Sequence, residues 1–90
     1  MDIEVMDELF CQCAEECAEL AQACLKMRRV LHGTTTADKN KVQQDICEEI
    51  GDVVNCIEFI LANGLADVNI VRKTKKMVEF EKRLRGIKEE

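Results

Sequence analysis

The stretch from Ile3 to Leu31, IEVMDELFCQCAEECAELAQACLKMRRVL, decides the fold class. Ile3, Met6, Phe10, Cys13, Cys17, Leu20, Cys24, Met27 and Leu31 recur at alternating steps of three and four. That spacing draws one apolar stripe along an α-helix over about four heptads. Ala14, Ala18, Ala21 and Ala23 add helix propensity and permit close approach. Gly33, directly after His32, is a stop signal. A helix of roughly 28 residues is about 42 Å long. One stripe of that length cannot bury itself, so it needs a partner helix.

Beyond the stop, Thr34 to Asn40 is polar and aperiodic and reads as a loop. A second helix is expected from about Lys41 to Ala62. Its inward stripe is Ile46, Ile50, Val53, Ile57 and Ile60, widened by Cys47, Val54 and Leu61. Asn63-Gly64 ends it. Asp67 is a good N-cap for a third helix, from about Val68 to Leu84, with Ile70, Met77, Phe80, Leu84 and Ile87 on its apolar side. Nothing alternates with the period of a strand, since Asp52, Asn55 and Glu58 interrupt the β-branched run at helical spacing. The expectation is a single all-α domain over residues 1–90, with helices at about 3–32, 41–62 and 68–84. Wide apolar faces in so small a chain predict a helical bundle completed by oligomerisation.

The chain has 90 residues and a formal charge of −5, from 18 acids against 13 Lys and Arg. That balance disfavours nucleic-acid backbones as partners, and three Phe without Trp or Tyr are too few for a base-stacking surface. Eight of the 13 basic residues fall between Arg72 and Lys88, so an acidic body carries a basic tail segment. No apolar run is long enough to span a membrane, and MDIEVMDELF lacks the pattern of a secretory signal. The six cysteines lie within helical patterns, where neighbours on one helix make poor disulfide geometry. With no CxxC pair and His32 as the one histidine, zinc is disfavoured, and reduced thiols acting as small hydrophobes in the cytoplasm are expected.

Several acids look misplaced. Glu16 and Glu19 are three apart and face one side of the first helix, beside Cys17 and Leu20. Glu49 and Asp52 repeat the spacing on the second helix beside Ile50 and Val53, and Asp45 and Glu48 extend the negative surface. If the helices form an antiparallel hairpin, Glu16, Glu19, Glu49 and Asp52 converge at one rim of the interface. Converging carboxylates repel, and partial burial strips each of hydration. A hard divalent cation, Mg²⁺ or Mn²⁺, resolves the conflict with oxygen ligands. Two such ions about 3.5–4 Å apart also orient and activate a water for phosphoryl attack. The bland alternative is a solvated face, because Exx(E/D) pairs are common on helix surfaces.

The segments Glu15-Glu16-Cys17-Ala18-Glu19-Leu20 and Glu48-Glu49-Ile50-Gly51-Asp52-Val53 together resemble the MazG-like all-α nucleoside triphosphate pyrophosphohydrolases, in which an EExxEL helix precedes an EExGD helix. The likeness runs from the first helix through the third. It implies Mg²⁺-dependent cleavage between the α and β phosphates of a nucleotide, giving a monophosphate and pyrophosphate, by a homodimer or homotetramer. It implies that Glu16, Glu19, Glu49 and Asp52 hold the metal and form the catalytic set, with Glu16 or Glu19 accepting the proton of the attacking water. Enzymes acting on dUTP, dCTP or phosphoribosyl-ATP look similar at these carboxylates.

Gly51, in mid-helix, implies close helix packing or an approach by substrate. Asn55 shares the face of Asp52 and could meet a metal-bound water, a sugar or a base. In similar proteins a Lys of the third helix, with an Asn and an Arg on following turns, binds phosphates. Here Lys73 and Lys76 are the phosphate candidates and Arg83 a further one, whereas Met77 and Phe80 stand where that pattern has Asn and Arg. Phe10, Phe59 and Phe80 all have plausible core roles, and a base stacked on one of them would sit at a subunit interface. The competing reading is a helical scaffold or nucleotide-binding regulatory subunit whose acids are merely solvated.

Overall fold

A computed structural model of the chain describes residues 2–67 and 74–89. Within them the protein is all-helical: α1 spans Ile3–Leu31, α2 Lys39–Ala62 and α3 Lys75–Glu89. No described helix is long and apolar enough to cross a membrane.

Each helix end has a local cause. The Asp2 carboxylate accepts the Glu4 N–H at 2.8 Å, satisfying a backbone donor at the start of α1. At the other end Thr34 N–H donates to Arg29 C=O and Gly33 N–H to Val30 C=O, with Gly33 at φ +69°. This Schellman pattern recurs at the end of α2, where Leu65 donates to Ile60, Gly64 to Leu61, and Gly64 again has φ +69°. The expected stops at Gly33 and Gly64 are therefore the observed ones. α2 begins two residues earlier than expected because Asp38, within the expected loop, caps it and accepts the Asn40 N–H at 3.0 Å.

α3 departs further. The expected start at Asp67 and Val68 runs into residues 68–73, which lie outside the described set and include Ile70 and Lys73. The described helix is capped by Thr74, whose hydroxyl accepts the Met77 N–H at 3.3 Å, and continues past Leu84 to Glu89. Among the described residues it packs against neither α1 nor α2.

α1 and α2 form an antiparallel hairpin, with Cys13 opposite Cys56 and Glu19 opposite Glu49. The half-buried residues of α1 are Met6, Leu9, Cys13, Glu16, Leu20, Ala23, Met27 and Val30. On α2, Val42 and Cys56 are buried, and Ile46, Glu49, Val53 and Ile60 are half-buried between and beyond them. Both series alternate steps of three and four, as a heptad seam does. The seam corrects the expected stripes. Met6, Cys13, Leu20 and Met27 face inward as expected, but Phe10, Cys17, Cys24 and Leu31 are exposed, as are Ile50 and Ile57 on α2. The apolar face of each helix is wide enough for two seams that share these central positions. The hairpin uses the flank that carries the acids and leaves the more apolar flank open.

A monomer of this mass exposes about 5,400 Å² when compactly folded. This chain exposes 7476 Å², and its radius of gyration is 16.6 Å where a compact chain of this length has about 12 Å. All six cysteines are free thiols.

A β-carbon on Gly51 would meet nothing within 4 Å, so no close approach among the described residues explains that glycine. Gly51→Ala is expected to stabilise the fold by up to about 1 kcal/mol through helix propensity. Gly64→Ala, forced to a positive φ, is expected to cost about 1 kcal/mol. Urea midpoints of the two variants should move in opposite directions, and a destabilising Gly51→Ala would reveal a close neighbour at that site.

Candidate metal centre

The hairpin brings together three of the four expected acids. One carboxylate oxygen each from Glu16, Glu19 and Glu49 lie within 4.8 Å of one another. Glu16 and Glu49 occupy positions of the seam itself, and Glu19 stands at its exposed border. Asp52 is exposed, outside this trio, and close enough for its charge to act on both Glu16 and Glu19. The antiparallel register produces this: stepping forward along α1 from Glu16 to Glu19 steps backward along α2 from Asp52 to Glu49.

The electrostatics are those of crowded negative charge. The Glu19 pKa is raised, first by the charge of the close Glu49 carboxylate and further by burial. At Glu16 a hydrogen bond from Gln12 Nε2, 2.7 Å to Oε1, favours the ionised form. Burial and the charges of Glu19 and Asp52 outweigh it, and the pKa is raised overall. The remaining oxygens, Glu16 Oε2 and Glu49 Oε2, are buried and have no hydrogen-bond partner. Buried carboxylate oxygens are normally satisfied, so a proton or a cation is called for at this point. The donor set is all hard oxygen with neither thiol nor imidazole, which suits Mg²⁺ or Mn²⁺ rather than zinc.

The other expected residues are placed elsewhere. Asn55 is exposed and lines, with Glu58, Phe59 and Ala62, a separate concavity of about 190 Å³. Lys73 lies outside the described residues. Lys76 and Arg83 are exposed on α3, away from the hairpin, and the Arg83 guanidinium lies 5.8 Å from the centre of the Phe80 ring. The structure thus does not bring the α3 cations to the acids.

Two cations of α1 share a groove with two of the acids. A groove of about 650 Å³ is lined by Glu19, Gln22, Ala23, Lys26, Arg29, Asp45 and Glu49. Sequence reasoning passed over Lys26 and Arg29. The available signal was the 3-4-3 spacing of Glu19, Gln22, Lys26 and Arg29, which sets all four on one flank of α1. No protein-family model, curated protein or solved structure matches this chain, so the chemistry of the site stands on its own residues.

Because Glu16 and Glu19 are raised above their ordinary 4.5, the folded chain holds more protons than the unfolded one above that pH. Stability then falls as pH rises through the raised values. In EDTA the thermal midpoint is expected to drop as pH rises above the ordinary carboxylate range, and Glu19→Gln should flatten the drop. An unchanged pH slope in the variant would contradict the crowding.

Proposed function

We propose that the chain is a small Mg²⁺-dependent nucleoside triphosphate pyrophosphohydrolase of the MazG-like type. The observation that carries the proposal is the convergence of Glu16, Glu19 and Glu49 from two helices, with two of their oxygens buried and unpartnered. A protein without a cation to bind gains nothing from placing two carboxylates in a helix seam, where apolar side chains would pack without repulsion.

Glu16, Glu19 and Glu49 would hold the metal, with Asp52 completing the set from the rim. Bound divalent cations neutralise polyphosphate charge and lower the pKa of a coordinated water. Hydrolysis would join a water oxygen to the α phosphorus and break its bond to the α–β bridging oxygen, with pyrophosphate as the leaving group. Glu16 or Glu19 would accept the proton of that water. Asn55 and the exposed ring of Phe59, in their shared concavity, offer a polar edge and an apolar face to the nucleoside end.

The assembly proposed is a homodimer or homotetramer. The excess exposed area of about 2,100 Å² is of the size that stable interfaces cover. It includes Phe10, Leu31, Ile50 and Ile57 on the flank opposite the acids, and Met77, Phe80 and Leu84 on α3. Six free cysteines accord with the cytoplasm as the compartment.

Purified protein with Mg²⁺ is expected to release pyrophosphate from at least one ribo- or deoxynucleoside triphosphate and to release none in EDTA. Glu49→Ala should lower the rate by at least about 100-fold, the scale of lost charge stabilisation in a transition state. Absence of release across the full panel, or an unaffected variant, would overturn the proposal.

A further inference from the structure

The groove beside the acid trio has an electrostatic polarity that hydrolysis alone does not require. Its wall on α1 runs Glu19, Gln22, Lys26, Arg29, so negative charge at one end passes into positive charge at the other. By helical rise Lys26 lies about 10 Å along the axis from Glu19, and Arg29 about 15 Å. Long side chains on a helix lean toward its N-terminus, which directs both cationic heads back toward the acids. Neither Lys26 nor Arg29 forms an ion pair with any described residue, although Asp45 and Glu49 line the same groove. Asp45 is instead engaged by Lys41 at 2.9 Å.

Two cations left unpaired beside a carboxylate cluster suit a ligand that is itself anionic and extended, and that meets a metal at one end. We propose that Lys26 and Arg29 form a phosphate-binding subsite that takes the terminal phosphates of a polyphosphate ligand. The inference rests on the hydrolase reading for the identity of that ligand as a nucleoside triphosphate. It assigns the direction in which the substrate lies. The nucleoside sits at the Asn55 and Phe59 end of the hairpin, the α phosphate at the acids, and the β and γ phosphates along α1 toward its C-terminus. Lys26 and Arg29 then hold the pyrophosphate portion before and after it leaves, and a nucleoside triphosphate is preferred over a diphosphate. Arg29 also borders the neighbouring groove of about 460 Å³ with Leu25, Arg28, His32 and Thr34, which keeps this end of the hairpin positively charged.

The test is calorimetric titration of inorganic tripolyphosphate into the full chain in Mg²⁺, using wild type, Lys26→Gln/Arg29→Gln and the charge control Lys82→Gln/Arg85→Gln. All of the substituted residues are exposed, and unchanged circular dichroism would verify that each variant is folded. The expected result is at least tenfold weaker binding in the first variant and less than a twofold change in the control. Equal affinity of wild type and Lys26→Gln/Arg29→Gln, equal weakening in both variants, or no tripolyphosphate binding by wild type would overturn the subsite. Selective weakening in a protein that releases no pyrophosphate from any nucleotide would leave the subsite standing and remove the hydrolase reading.

Discussion

Glu16 and Glu49 stand in the seam where α1 and α2 pack, at heptad positions that otherwise hold Met, Leu, Val, Ile, Ala and Cys. Everything distinctive about the hairpin follows from that placement. A carboxylate in such a position loses hydration, and a second one across the seam adds repulsion. Gln12 offsets part of the loss at Glu16 by donating to its Oε1, and the charge of Glu49 holds the Glu19 carboxyl above its ordinary range. Two buried oxygens still lack partners. Crowded carboxylates of this kind are relieved by a proton or by a bound cation.

The choice of flank carries a second consequence. Each helix offers two overlapping seams, and the one used for the hairpin is the less apolar. Burying the other flank would have removed Phe10, Leu31, Ile50 and Ile57 from water without placing any acid inside. That more apolar surface remains available for assembly. Among the described residues only Val42 and Cys56 are buried, a small core for two helices of this length. Hairpin and acid cluster share one cause: the flank that joins α1 to α2 is the one that carries the acids, and the more apolar flanks are left exposed.

Much of this was legible in the sequence, for identifiable reasons. Alternating steps of three and four fix helical structure whatever the partner, and Gly33 and Gly64 mark ends because both adopt a φ of +69° in Schellman turns. The carboxylate pairs were readable because a three-residue spacing places two acids on one face. The flank was not readable. Met6, Cys13, Leu20 and Met27 belong equally to the stripe through Phe10 and Cys17 and to the one through Leu9 and Glu16, and only the position of α2 decides between them. Lys26 and Arg29 were not readable as neighbours of the acids, because only the position of α2 sets Asp45 and Glu49 in the same groove. The cap at Asp38 was hidden within a run of polar residues that could each have begun the helix.

The central claim is that Glu16, Glu19 and Glu49 are metal ligands, and crystals grown or soaked with Mn²⁺ test it most directly through anomalous difference density. The account predicts at least one peak within coordination distance, about 2.0–2.2 Å, of carboxylate oxygens from all three residues, with the Oε2 atoms of Glu16 and Glu49 among the ligands or bridged by ordered water. Carboxylates that point apart into solvent with no manganese between them would contradict it.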